Sequence, residues 1–168
     1  MLGYYEHFPS NIHIVESFNS TLSNKKLQQK IIQVFYEINR KEFSFEEVCN
    51  PTIPQGRVIF EFGLADAESF NFIDEEEVKK TLYLLAKEQL QNMDFFCGIR
   101  YYKINADKKT ALKFDYYLLR TIFNQGTIEM QVHHERGPRY ISPDDLISFI
   151  FNKINETSKR KILKTPNP

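Results

Sequence analysis

Apolar positions recur with a helical period in three stretches of the chain. Leu27, Ile31, Val34, Phe35 and Ile38 follow one another at spacings of four, three, one and three, which sets them on one face of a helix from about Ser23 to before Lys41. Lys25, Lys26, Lys30 and Gln33 fall on its other faces. A second stripe, Val78, Leu82 and Leu85, follows Asp74. Glu77 lies three positions after Asp74, the spacing at which cap and third residue satisfy each other's free amides. The glutamates of that first turn meet the positive end of the helix dipole, so the acidic block from Asp66 to Glu77 has a structural reason. The third stripe, Leu146, Ile147, Ile150, Phe151 and Ile154, begins behind Ser142 as N-cap, Pro143 at the first helical position and Asp145 three residues after the cap.

Elsewhere the period is two. Residues 57–64 read as a strand with Val58, Phe60 and Phe62 on one side and Ile59 and Glu61 on the other. Three more strands, 95–104, 111–123 and 127–135, are joined by turn-forming stretches at 105–110 and 124–126, which predicts an antiparallel meander. Phe95, Cys97, Ile99 and Tyr101 oppose Phe96, Gly98, Arg100 and Tyr102. Leu112, Phe114, Tyr116 and Leu118 oppose Lys113, Asp115 and Tyr117, and Ile128, Met130 and Val132 oppose Glu129, Gln131 and His133. The first twenty residues form a short strand or an extended arm, 41–54 with Pro51 and Pro54 is loop, and 65–72 is a packed loop. The expected fold class is α+β: a four-stranded, mainly antiparallel sheet in β-α-β-β-β order with N- and C-terminal helices, all helices packed on one face. The first strand and the start of the meander invite a right-handed crossover.

Length and composition narrow the setting. With 168 residues, 42% hydrophobic and 14% aromatic, the chain suits one folded domain over residues 1–157, followed by a basic flexible tail over 158–168 that holds Lys159, Arg160, Lys161 and Lys164. The 22 cations balance 22 acids, so a polyanion has to be held by local segregation of charge. Cys49 and Cys97 are too few and too far apart for a disulfide framework or a zinc cage. No basic apolar leader opens the chain and no apolar run reaches membrane-spanning length, which points to a cytoplasmic protein with no membrane partner.

Two places carry candidate chemistry. The outward sheet face collects Arg100, Tyr102, Lys113, Asp115, Tyr117, Gln131 and His133, and rings beside cations suit unpaired bases and the phosphates between them. The second place is His133-His134-Glu135-Arg136-Gly137-Pro138-Arg139-Tyr140, where Arg136 and Arg139 flank a turn before a helix start. Guanidinium forks bind phosphate there, or the arginines clamp Glu135, Asp144 or Asp145. His133 and Glu135, with Asp115 or Glu129 across the ladder, fall short of a metal set, and His134 faces the core side. No nucleophile elbow or phosphate-binding glycine loop occurs. The leading expectation is a non-enzymatic protein that binds single-stranded nucleic acid through Arg100, Tyr102, Lys113, Tyr117, His133, Arg136 and Arg139, with no metal and no cofactor. The alternative is a homodimer or complex component whose partner covers that face. A third is a small enzyme with an anion site at His133, Arg136 and Arg139.

Overall fold

A computed structural model describes residues 1–166. In chain order the elements are β1 (Ile14–Ser20), α1 (Asn24–Asn39), β2 (Glu42–Ser44), α2 (Phe45–Val48), β3 (Gly56–Asp66), β4 (Ser69–Phe72), α3 (Glu75–Lys87), β5 (Asn92–Asn105), β6 (Lys108–Ala111), β7 (Asp115–Asn124), β8 (Thr127–Arg136), α4 (Pro143–Glu156) and β9 (Leu163–Lys164). The strands make one nine-stranded antiparallel sheet in the order β2-β3-β5-β7-β8-β1-β9, with β4 paired to β3 and β6 to β5. The class is α+β, but the expected four-stranded sheet is corrected to nine strands and the three helices to four. The four expected strands are its contiguous centre, β3-β5-β7-β8. The remaining strands are short or lie in segments read as loop, where a few residues carry no period and a distant partner decides the conformation. β3 and β5 are antiparallel neighbours, so the expected crossover does not form.

All four helices serve one face. Phe35 of α1 stacks on Phe62 of β3 at 4.0 Å and meets Phe95 of β5 edge-on, while Phe149 of α4 stacks on Phe60 at 4.9 Å. Phe45 of α2 stacks on Tyr101, and α3 packs on α1. Leu27, Ile31, Ile150 and Ile154 are fully buried in this layer, and each such side chain contributes about 1.5–3 kcal/mol. After α4, Asn155 receives the amides of Ile162 and Leu163 through its Oδ1 and donates to the Leu163 carbonyl, which ties β9 against β1. Within the stretch expected as a tail, Ile162, Leu163 and Lys164 are thus bonded to the sheet edge; residues 167 and 168 lie outside the described residues.

Among the described residues, the opposite face receives no helix and is crossed by the start of the chain. Where β3 turns away from β5, Gly3 fills the gap: its N–H donates to the Ala65 carbonyl and its carbonyl accepts from Asp94 N–H, both at 2.7 Å. Its φ of 82°, and the 2.8 Å at which a Cβ would meet Leu90, explain why this stitch is a glycine. Tyr4 and Phe8 then lie against the Arg120 guanidinium, which forks onto the fully buried Asp94 at 2.8 and 2.9 Å.

Candidate functional site

The stretch from His133 to Tyr140 closes around a carboxylate of the chain itself. Asp115, at the start of β7 and fully buried, accepts from Arg139 N–H (2.6 Å), Tyr140 N–H (2.9 Å), the Tyr101 hydroxyl (2.6 Å) and His134 Nε2–H (2.8 Å). Arg139 reaches it with a φ of 62°, and Gly137 has no room for a side chain, since a Cβ would stand 2.5 Å from the Asp115 carboxylate. Tyr117 donates its hydroxyl to the Ile141 carbonyl and secures the same loop before α4. Burial, with Asp115 alongside, pushes the phenols of Tyr101 and Tyr117 far up, so both remain donors. The clamp thus exists, but it is built from backbone amides on Asp115 and not from the arginine side chains. Both guanidiniums are exposed and neither joins an ion pair among the described residues.

His133 is buried, contrary to the open position expected for it. Asn11 of the N-terminal segment lies over it and accepts from its Nδ1 at 2.7 Å, and His13 stacks on its ring at 4.9 Å. His13 accepts His134 N–H at its own Nδ1. Desolvation, and then the nearby Arg139, His133 and His134, hold the His13 imidazole below its ordinary value. His133 Nε2 stands 3.0 Å from Glu135, while Asp115 belongs to the other face and Glu129 accepts from Gln131, so neither carboxylate joins them. Glu6, His7 and Glu68 bring potential ligand atoms within 4.8 Å of one another on the exposed surface, with nothing further to mark a site.

The helix-free sheet face gives a different result at its β5-β6 end. Tyr117 is entombed in the core, opposite Cys97, and this corrects its expected outward position. Its neighbour Tyr116 takes the outward place: Glu61, Gly98, Tyr116 and Arg136 pair across β3, β5, β7 and β8 and so form one transverse row. The phase of β7 misleads in the sequence because Leu118 and Leu119, and again Ile122 and Phe123, put apolar residues in both registers, while the inward phase begins with a charged Asp115. The run Tyr117, Leu119 and Phe123 was the available signal for the true phase.

Above Gly98 the face forms a groove of about 280 Å³, lined by Glu61, Arg100, Tyr102, Leu112, Phe114 and Tyr116. Gly98 supplies a floor without a side chain, and Phe114 and Tyr116 stand 4.9 Å apart as one wall. Arg100 is exposed and pairs with Glu61 at 2.9 Å. Lys109 of β6 sits 4.5 Å over the Tyr102 ring, and Arg57 pairs opposite Tyr102. Lys113 is exposed in the link from β6 to β7. Arg57, Arg100 and Lys109 share the outward phase at this end, where Glu42 pairs with Arg57 and Lys109 and Glu61 with Arg100, whereas Lys103 and Lys108 lie in the phase of the buried Tyr101. Of the expected residues, Arg100, Tyr102, Lys113 and Arg136 belong to this surface, whereas Tyr117 and His133 do not. Lys159, Arg160 and Lys161 precede β9 at the far edge of the sheet.

Among the described residues, no helix is long and apolar enough to cross a membrane. Compared with known proteins, the chain matches no protein-family model, no curated protein and no solved structure, so its own side chains carry the functional argument.

Proposed function

We propose that the protein is a non-enzymatic binding module for single-stranded nucleic acid, with the strand lying across the β5-β6 end of the open sheet face. The observation that carries this reading is the aromatic groove over Gly98, set beside Arg57, Arg100, Lys109 and Lys113 on a face that none of the four helices covers. Tyr102, Phe114 and Tyr116 offer ring faces on which any base can stack. Lys109 and Lys113 neutralise phosphates on one side of the groove and Arg136 on the other, which makes affinity fall with salt. The two free thiols, with Cys97 buried, fit a reducing cytoplasmic setting. Fluorescence anisotropy of labelled oligonucleotides at low and moderate salt tests the proposal. Micromolar, salt-weakened binding is expected, and silence at low salt ends it.

A second reading places a protein partner or a second copy of the chain on the same face. It draws on Phe72 and Phe114, which are 50% and 45% exposed. Light scattering separates the two: a stable dimer in which labelling of Tyr116 is blocked favours the partner.

A further inference from the structure

Glu61 is the one feature of the groove that works against phosphate binding, since it sets a carboxylate among cations that would otherwise hold a polyanion. Its position relative to Arg100 gives it a use. The two side chains meet at 2.9 Å on the rim of the groove, directly across from the floor at Gly98. Together they present a fixed order of hydrogen-bonding groups: a donor from the guanidinium, then the two acceptors of the carboxylate. A flat ring stacked against Tyr116 would turn its edge toward this pair.

We propose that the groove is a slot for one guanine base, read by Arg100 and Glu61; the inference rests on the nucleic-acid reading above. The Watson–Crick edge of guanine runs acceptor (O6), donor (N1–H), donor (N2–H), which complements the pair at each place. Cytosine runs donor, acceptor, acceptor and opposes it throughout. Adenine sets a donor against the guanidinium and an acceptor against the carboxylate. Uracil and thymine run acceptor, donor, acceptor and fail at the last position. The volume of the groove, about 280 Å³, lies at the lower end for small-molecule sites and suits one ring system with no neighbour beside it. Glu61 and Arg100 are 38% and 56% exposed as side chains, so their ion pair contributes little to folding and leaves their remaining hydrogen-bonding groups open to a ligand.

The test is a set of labelled oligonucleotides of uniform thymine or uridine sequence with one central position occupied by guanine, inosine, adenine or cytosine. The guanine oligomer is expected to bind roughly tenfold more tightly than the adenine or cytosine ones, with inosine, which lacks the N2 amine, in between. Both the DNA and RNA series should show it. Glu61→Gln is expected to bind the guanine oligomer no more tightly than the adenine one, with an unchanged thermal unfolding curve. Equal affinity for all four oligomers, or no loss from guanine to inosine, overturns the guanine slot and leaves the broader function standing. Failure to bind any oligomer overturns both.

Discussion

Asp115 holds the backbone amide of Arg139 at 2.6 Å, across 24 residues of chain, and thereby fixes how β8 hands over to α4. The same carboxylate satisfies Tyr140 N–H, the Tyr101 hydroxyl and His134, so its removal strands four donors in a buried place. Asp115→Ala is expected to cost about 3–5 kcal/mol in denaturant unfolding, and Tyr101→Phe, which deletes one donor, about 1 kcal/mol. Equal small effects would show that the loop is held by other means.

The junction of His13 with β8 makes stability depend on pH. His13 Nδ1 accepts from His134 N–H, so a proton there would set donor against donor, and the folded-state imidazole is held below its ordinary value by desolvation and by Arg139, His133 and His134. Above about pH 6.5 both folded and unfolded chains keep this ring neutral and its contribution is complete. As the pH falls below that point the unfolded chain takes up the proton first, so stability declines until the folded value is passed as well. His13→Asn, which keeps an acceptor at the same place, is expected to flatten the decline. Unfolding midpoints of both proteins between pH 7.5 and 5 would show it.

Arg120 bridges the sheet and the start of the chain. Its fork onto Asp94 raises its own pKa further, and the rings of Tyr4 and Phe8 rest against its guanidinium. Arg120→Ala leaves Asp94 buried without its counter-charge and should destabilise by about 3–5 kcal/mol. Hydrogen exchange is expected to rise first in residues 3–8, where Gly3 and Tyr5 are bonded to Ala65 and Asp94.

Tyr116 and Tyr117 are adjacent in sequence and opposite in role. Tyr116→Ala is expected to weaken oligonucleotide binding by about 1–3 kcal/mol, the range for loss of one stacked base, with little change in stability. Tyr117→Phe removes the hydroxyl that holds the Ile141 carbonyl and should destabilise by about 1 kcal/mol without touching affinity. Parallel titration and unfolding of the two variants gives the comparison, and swapped outcomes would mean the face is not the binding surface.

The parts of this fold legible in the sequence are those specified locally. Ser142 caps α4 by accepting Asp145 N–H, and Asp74 caps α3 by accepting Glu77 N–H, as the three-residue spacings imply. The four central strands carry enough period-two pattern to be found. The short strands β2, β4 and β9 are not, because each exists only through a partner elsewhere in the chain. The same reason hides the fate of the site residues. Nothing near His133 announces that Asn11, 122 positions earlier, will lie on it, and nothing near Asp115 announces the four donors that make a carboxylate tolerable in the core. Arg100 and Tyr102 were legible because the middle of β5 alternates, with Ile99 and Tyr101 buried on one side and Arg100 and Tyr102 on the other.

Because all four helices lie on one side of the sheet, the β5-β6 end of the other side, away from the Arg120–Asp94 pair, is free to vary. Positions 57, 61, 100, 102, 116 and 136 form a panel around Gly98 on the far side of the plate. Randomising them together should yield a library whose members mostly fold, in which new recognition can be selected while the aromatic interior stays intact.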